Sequence, residues 1–232
     1  MPRSGYDDIA EEYYDLRHVT CRNFDNTTKS SLVSNSFPIP DGKLLEIGAG
    51  RGRAGEFLGV DHSRVVQLDN SQAMFDLAVR EECSLKILAD ACAIPLASGQ
   101  FKYVVGFLID PFMGLDCLAE AHRMLVPEGR ILLTVPTHQW GTVLRTMLGI
   151  EEMTTRFKVL DTENIVVLPS VLHTPERIDE MLKMVGFQKI EISCDALTDF
   201  EQPVSSDITS VCETLEIQVS DLPIIHTIRA TR

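Results

Sequence analysis

Short apolar runs alternate with amphipathic stretches along most of the chain, and this alternation predicts an α/β sheet with crossover helices. Five runs are expected to be strands: Lys43–Ile47, Arg64–Leu68, Leu85–Leu88, Tyr103–Leu108 and Arg130–Val135. Between them, apolar residues recur at helical spacing in Ser71–Arg80 and Leu115–Leu125.

The last part of the chain predicts one more helix and two more strands. Thr174 followed by Pro175 is typical of a helix start, and Gly186 favours a left-handed stop at its end. The two expected strands are Phe187–Ser193 and Leu222–Arg229.

Three segments fall outside this alternation, residues 1–40, 137–173 and 196–220, and they are candidates for a lid that carries specificity. In the first, Tyr6–Asp15 predicts a helix whose acidic residues form a solvated face. A more polar stretch follows and ends in the loop signal PIPDG. In the second, GTVLRTMLG predicts a helix and NIVVLPSVL a strand or one arm of a hairpin.

The amino-acid composition and net charge limit the classes of function that the protein can have. The 232 residues suit one domain, and 44% hydrophobic residues allow a sizeable core. A net charge of −13 disfavours nucleic acid as a partner, although a local basic groove stays open. No apolar stretch is long enough to span a membrane, and the acidic start does not resemble a signal peptide. Six scattered cysteines predict reduced thiols in a cytoplasmic protein, with no metal site.

The most informative motif is a glycine-rich loop after the first predicted strand, in the sequence LLEIGAGRGR. Gly48, Gly50 and Gly52 allow a positive φ and let a ligand come close to backbone N–H groups. Any tight turn between a strand and a helix can use glycine, so the loop alone is weak evidence.

Two acidic residues follow the next two strands, Asp69 after the second and Asp90 after the third. The carboxyl ends of neighbouring parallel strands meet at the switch point of the sheet, so the loop and both acids are expected to converge on one crevice. There Asp69 can accept hydrogen bonds from both hydroxyls of a ribose.

The charges near the loop indicate which nucleoside fits. Arg53 stands where the dinucleotide fingerprint has its third glycine, and no Gly-Lys-Ser/Thr follows. Glu46, just before the loop, would repel a pyrophosphate but suits a cationic amine or sulfonium. These features argue against NAD, FAD and ATP and favour an adenosine attached to an amino acid.

The same stretches resemble class I S-adenosylmethionine-dependent methyltransferases of the small-molecule branch, methyltransferase type 11. The resemblance lies in LLEIGAGRGR, LDNSQAMFDLA, LADACAIPLASGQFKYVV, MLVPEGRILLTVPT and HTPERIDEMLKMVGF. It implies a Rossmann-like, mostly parallel seven-stranded sheet of order 3-2-1-4-5-7-6, with the last strand antiparallel, helices on both faces and a small lid. One domain is expected, with a cap at 1–40, a cofactor-binding core at 41–136, a lid or substrate insertion at 137–173 and C-terminal helix and strands at 174–232.

The resemblance also implies S-adenosylmethionine as cofactor, with S-adenosylhomocysteine as product. The residues it assigns to the cofactor are Glu46, Gly48, Ala49, Gly50, Gly52, Asp69, Asn70, Met74, Asp90, Ala91, Phe107, Leu108 and Tyr14. Asp69 would bind the ribose hydroxyls, Asp90 the adenine amino group, and Glu46 the amino end of the methionine part.

The implied reaction is an in-line displacement of the sulfonium methyl group, for which the protein mainly orients the reactants and excludes water. A general base is needed only for a protonated nucleophile of high pKa. Candidates are His138 after the fifth strand, Asp110 after the fourth and His18 in the cap. Each has an ordinary alternative: a loop histidine, a helix cap and a surface residue, respectively.

The leading hypothesis is an enzyme, monomeric or homodimeric, that methylates an O, N or C atom of a small molecule. The apolar character of residues 138–173 predicts a largely apolar or aromatic acceptor. Alternatives are a methyltransferase acting on protein or RNA and a non-catalytic S-adenosylmethionine-binding regulatory subunit. A non-methyl reaction that uses the sulfonium as an electrostatic aid also stays open.

Overall fold

The computed structural model describes residues 4–34, 41–77 and 85–232. Its strands are β1 (Leu44–Ile47), β2 (Val65–Asp69), β3 (Leu85–Leu88), β4 (Phe101–Gly106), β5 (Leu125–Pro136), β6 (Thr154–Lys158), β7 (Ile165–Pro169), β8 (Gln188–Ala196) and β9 (Pro223–Thr231). Seven of them form one sheet of order β3-β2-β1-β4-β5-β9-β8, in which β9 runs antiparallel to both neighbours. The strands β6 and β7 pair separately as an antiparallel hairpin.

This sheet confirms the expected Rossmann-like fold, because numbering its seven strands in chain order gives 3-2-1-4-5-7-6 with the last strand antiparallel. The predicted strand at 130–135 is longer than expected and begins at Leu125, with a register shift against β4. The hairpin and the helix expected between residues 138 and 173 are both present.

The helices are α1 (Val19–Ser34), α2 (Ala54–Leu58), α3 (Gln72–Leu77), α4 (Leu115–Met124), α5 (His138–Leu148), α6 (Pro175–Val185) and α7 (Ser206–Leu215). As predicted, the Thr174 side chain caps α6 by accepting from the Arg177 N–H, and Gly186 ends it with a φ of 106°. The part of the predicted 71–80 helix from Ala78 onward lies outside the described residues, as do Cys83 and most of the PIPDG loop.

Helices cover both faces of the sheet. Along β5, Ile131 and Leu132 are both fully buried but join different apolar clusters, because successive side chains of a strand point to opposite faces. The cluster of Ile131 includes residues of α4 and α6, and that of Leu132 includes residues of α1 and α2. A further cluster joins α5 and α7 to β9. Within the described ranges, no helix is long and apolar enough to cross a bilayer.

The prediction of a helix near the N-terminus was wrong. Instead of a helix over 6–15, a 3-10 helix spans Gly5–Asp8 and turns follow it. Tertiary contacts explain the difference, because two of the acids expected in solvent bind the protein. The Asp7 carboxylate accepts from the Ser71 hydroxyl (2.6 Å), and the Glu12 carboxylate accepts from the backbone N–H of Leu160 (2.8 Å).

The helix α1 was not predicted, and its composition explains why. Its buried positions include the polar residues Asn23, Thr27, Thr28 and Ser31. Asn23 donates to the carbonyl of Pro203 (3.0 Å) and accepts from the N–H of Ser205 (2.9 Å). A helix that is held by side-chain hydrogen bonds lacks the apolar stripe on which sequence reading depends.

Candidate functional site

The glycine loop lies between β1 and α2, at the carboxyl end of the sheet. Gly48, Gly50 and Gly52 have φ values of 59°, 54° and 87°, in the left-handed region that favours glycine. A Cβ at Gly48 would lie 2.6 Å from the ring of Phe112, and one at Gly50 would collide with the hydroxyl of Tyr14. Both positions therefore require glycine for conformation and for space.

Asp69, at the end of β2, holds the glycine loop in place through hydrogen bonds. One carboxylate oxygen accepts from the backbone N–H of Gly50 (2.7 Å), and the other accepts from that of Ser71 (2.8 Å). Burial raises the pKa of Asp69, against the lowering effect of these hydrogen bonds. A carboxylate has about four lone-pair positions, so these bonds leave room for ligand hydroxyls.

Glu46, in the middle of β1, is only 1% exposed. One of its oxygens accepts from the backbone N–H groups of Arg53 (2.7 Å) and Ala54 (2.8 Å), where α2 begins. Burial raises the pKa of Glu46 to about 7. The side chain therefore closes the far end of the glycine loop and places a titratable group beneath it.

The buried carboxyl of Glu46 makes the stability of the unliganded protein depend on pH. Its pKa is about 7 in the folded protein against an ordinary 4.5, so between these values the folded state retains a proton that the unfolded state has lost. The stability due to this group is therefore fully present below pH 4.5 and is lost as the pH rises through 7. The loss is up to about 3 kcal/mol.

Glu46→Gln lacks this dependence. We expect the free energy of unfolding of the variant to rise relative to wild type as the pH increases across that window, as measured by urea unfolding at a series of pH values. Glu201→Gln, at an exposed glutamate, is the matched control and should follow wild type. A constant difference between Glu46→Gln and wild type would contradict the prediction.

The N-terminal segment, residues 4–15, lies over the glycine loop. The Tyr14 hydroxyl accepts from the Arg51 N–H (3.4 Å), and the guanidinium groups of Arg51 and Arg53 lie 4.9 and 4.6 Å from the centre of the Tyr14 ring. Asp7 binds the start of α3 through Ser71 and the Ala73 N–H (3.2 Å). The segment thus forms one wall of the site.

These elements enclose a cavity of about 310 Å³, which we call the glycine-loop cavity. Its lining includes nearly all of the residues predicted for the cofactor: Glu46, Gly48, Ala49, Gly50, Asp69, Asn70, Met74, Asp90, Ala91, Phe107, Leu108 and Tyr14. Gly52 is the exception. It lines a neighbouring polar groove instead, where a Cβ would collide with the side chain of Gln67.

Sequence reasoning missed several residues of this cavity, above all the ion pair of Arg53 with Asp25. Arg53 was noticed only as the residue that replaces a glycine, and Asp25 lies in the unpredicted helix α1. Burial raises the pKa of Asp25 to about 6. The pair places both signs of charge at one end of the glycine-loop cavity.

A second cavity of about 450 Å³ shares Tyr6, Tyr13 and Leu108 with the first, and we call it the aromatic cavity. Its walls come from the N-terminal segment, α1, α5, the β6–β7 hairpin and the start of α7. Their aromatic side chains are Tyr6, Tyr13, Phe24, Trp140 and Phe157. The rings of Phe24 and Trp140 lie 4.7 Å apart, and those of Tyr13 and Phe157 stack at 6.1 Å.

Two of the three candidate bases line the aromatic cavity. Asp110 begins a short 3-10 helix after β4 and is 9% exposed. His18 lies with its ring 4.3 Å from that of Phe157 and 3.4 Å from the carboxylate of Glu12. His138, at the start of α5, contacts the hydroxyl of Thr142 and lines neither cavity.

Asp110 has the more unusual environment. The Ser170 side chain interacts with the carboxyl of Asp110 and lowers its pKa, and the Ser170 hydroxyl accepts from the guanidinium of Arg145 (2.9 Å). Burial outweighs these stabilising contacts and raises the pKa of Asp110 to about 6. Across the described ranges, no group of three or more His, Cys, Asp or Glu side chains is placed to hold a metal ion.

Residues 45–133, which contain the glycine loop, Asp69, Asp90 and Asp110, match a family model described as a methyltransferase domain. These residues of the chain therefore carry a methyltransferase domain. S-adenosylmethionine, the cofactor that the resemblance implied, is bound in a solved structure of this fold, that of phosphoethanolamine N-methyltransferase 2 of Haemonchus contortus. A comparison with the curated proteins found no match.

Solved methyltransferases share the fold over the whole chain. An S-adenosylmethionine-dependent methyltransferase from Thermotoga maritima is 15% identical, with 98% of each chain covered and a TM-score of 0.63. A Haloferax volcanii methyltransferase, in complex with its Trm112 activator, is 15% identical, with 100% of this chain and 99% of that chain covered and a TM-score of 0.71. Phosphoethanolamine N-methyltransferase 2 of Haemonchus contortus is 15% identical, with 99% of this chain and 60% of that chain covered and a TM-score of 0.60. At these identities the likeness concerns the fold.

Proposed function

We propose that this methyltransferase transfers the methyl group of S-adenosylmethionine to a small molecule with a largely apolar or aromatic body. The observation that carries the proposal is that the two cavities are adjacent and share Tyr6, Tyr13 and Leu108 in their walls. A ligand in the glycine-loop cavity and a ligand in the aromatic cavity would face each other across these three side chains.

The charges of the glycine-loop cavity support the cofactor assignment. Asp69 would hold the ribose hydroxyls, with Asp90 and Ala91 near the adenine. At the other end, Glu46 favours the amino group of the methionine part, and Arg53 offers a cation for its carboxylate. This mixture of charges fits a zwitterionic amino acid joined to a nucleoside, whereas a pyrophosphate would meet four carboxylates.

The aromatic cavity supports a small acceptor. Its volume of about 450 Å³ lies within the range of about 300–1,000 Å³ that is usual for small-molecule sites. The β6–β7 hairpin and α5 supply much of its wall. The apolar character of this region is what predicted an apolar or aromatic acceptor. Rings on several sides favour a ligand with an apolar or aromatic body.

Catalysis then depends mainly on position. The sulfonium of the bound donor supplies an activated methyl group. Phe107 and Leu108 would hold the methionine part against the acceptor, and Tyr6 and Tyr13 would exclude water from the space between the cavities. Of the three candidate bases, Asp110 and His18 line the aromatic cavity, where they could take a proton from an acceptor.

A protein acceptor is the second candidate. The Haloferax volcanii methyltransferase of the same fold is solved with an activator protein, so a protein partner of this fold is known. Two observations favour the small molecule. The aromatic cavity is lined by several elements of this chain, and the net charge of −13 disfavours RNA. A monomeric or homodimeric state stays a prediction.

Two measurements test this proposal. Calorimetric titration should show binding of S-adenosylmethionine and S-adenosylhomocysteine but not of NAD. Incubation of the protein with methyl-labelled donor and a cell extract, followed by filtration, should place the label in the small-molecule filtrate. Label in the retained protein or RNA would contradict the small-molecule acceptor, and absence of donor binding would contradict the cofactor sites.

A further inference from the structure

We propose that the acceptor is an amine carried on an apolar or aromatic body, and that Asp110 is the carboxylate that receives the proton from its nitrogen. This inference rests on the proposed function, because it concerns the ligand of the aromatic cavity. It follows from where the backbone places Asp110, from the charges of the cavity and from the rings that surround it.

The backbone after β4 brings Asp110 close to the junction of the two cavities. Leu108 takes a φ of 55°, a strained conformation for leucine, and its N–H donates to the hydroxyl of Thr134 (3.1 Å). The next N–H, that of Ile109, donates to the carbonyl of Thr134 (3.1 Å). Leu108 lines both cavities, and Asp110 follows two residues later on the wall of the aromatic cavity.

The charge at this place is negative. Among the charged side chains that line the aromatic cavity in the described part of the chain, Asp110 alone is buried. The basic lining residues, Arg17, Arg156 and Lys158, are exposed. A carboxylate or phenolate acceptor would therefore be repelled where its oxygen has to react, whereas an ammonium would be attracted.

The partners of Asp110 leave it able to exchange a proton. Arg145 does not form an ion pair with it; the guanidinium reaches it through Ser170 and also donates to the Ser170 carbonyl (2.7 Å). The charge of Asp110 also raises the pKa values of Tyr6 and Cys21. With a pKa of about 6 the carboxyl is ionised at neutral pH and still basic enough to accept a proton in catalysis.

The surrounding rings suit an organic cation. Tyr6, Tyr13, Phe24 and Trp140 line the same cavity as Asp110, and aromatic faces attract ammonium groups. An amine would therefore be held as its ammonium form by the rings and by Asp110 together, until the proton passes to the carboxylate.

The step balances without a further reactant. The ammonium gives one proton to the Asp110 carboxylate, which frees the lone pair of the nitrogen. That pair forms the new N–C bond, and the C–S bond breaks with its electrons going to sulfur, which leaves neutral S-adenosylhomocysteine. The methylated product is an ammonium, and the proton on Asp110 passes to solvent when the product leaves.

The charge of the labelled product tests the acceptor class. The filtrate of the extract incubation is passed over a cation exchanger at neutral pH, and we expect the labelled product to be retained and to resist alkaline hydrolysis, as an N-methyl amine does. Label in a neutral or anionic product overturns the amine assignment and leaves the proposed function standing. Absence of any labelled small molecule overturns both.

Variants test the role of Asp110. The substrate in these assays is the unmethylated precursor of the labelled product, once that product has been purified. We expect Asp110→Asn to lower kcat/KM about 100-fold or more. We also expect that the activity of this variant, unlike that of wild type, does not fall as the pH is lowered below 6. Unchanged binding of S-adenosylhomocysteine would show that the variant is folded. Asp116→Asn, at an exposed aspartate on the first turn of α4, makes the same change of charge and should behave as wild type.

Ser170→Ala provides a second readout that a purely structural role would not move. The Ser170 side chain lowers the pKa of Asp110, so its removal should shift the acid limb of the pH profile to higher pH. An unshifted limb in Ser170→Ala, or a limb that persists in Asp110→Asn, overturns the assignment of Asp110 as the proton acceptor.

Discussion

Replacing Gly50 with alanine should lower the affinity for S-adenosylmethionine by about 100-fold or more, as measured by calorimetric titration. The new Cβ would meet the hydroxyl of Tyr14, and the residue has a φ of 54°. The left-handed conformation alone costs a non-glycine residue about 1–2 kcal/mol. The collision adds to this because either the loop or the N-terminal segment must move, and both line the glycine-loop cavity.

Two further variants separate these causes. Gly59 also has a left-handed φ, of 62°, but a Cβ there meets nothing within 4 Å, so Gly59→Ala should lose stability and keep its affinity for the donor. In Gly50→Ala combined with Tyr14→Phe, the hydroxyl is gone and the nearest ring carbon lies at an ordinary 3.6 Å. The double variant should recover part of the affinity, and failure to do so would rule out the collision as the cause.

Replacing Asp69 with alanine should weaken donor binding by about 10- to 100-fold, the cost of leaving ribose hydroxyls without a buried partner. The free energy of unfolding should fall as well, by about 1–3 kcal/mol, because the N–H groups of Gly50 and Ser71 lose their acceptor. Calorimetry and urea unfolding measure the two effects separately.

Asp61→Ala is the matched control for this variant. Asp61 also accepts from a backbone N–H two residues on, that of Ser63 (2.8 Å), but it lies on the surface away from both cavities. Its replacement should leave donor affinity unchanged. Equal donor binding by wild type and Asp69→Ala would refute the assignment of the ribose hydroxyls to Asp69.

The sheet and the glycine-loop cavity were largely predictable from the sequence because they depend on local patterns. Buried strands give continuous apolar runs, and the carboxyl ends of parallel strands converge, which brought Glu46, Asp69 and Asp90 together in advance. Gly52 shows the limit of this reasoning, because spacing along the chain does not reveal which side of a loop a residue faces.

The aromatic cavity was much less predictable, because its walls come from segments that are distant in sequence. Phe24 lies on α1, a helix whose buried polar face hides its periodicity. Trp140 and Phe157 were expected only as members of an apolar lid. Asp110 was a candidate by its place after β4, but its burial depends on Ser170 and Arg145, which no local pattern links to it.

The N-terminal segment has a consequence for the order of events in a turnover. Tyr6 and Tyr13 belong to the walls of both cavities, Asp7 is bonded to the start of α3, and Glu12 is bonded to the loop of the β6–β7 hairpin at Leu160. A displacement of this one stretch of chain that admits a ligand on one side also disturbs the wall on the other. For the proposed donor and acceptor, release of the one and entry of the other would both involve this same stretch of chain.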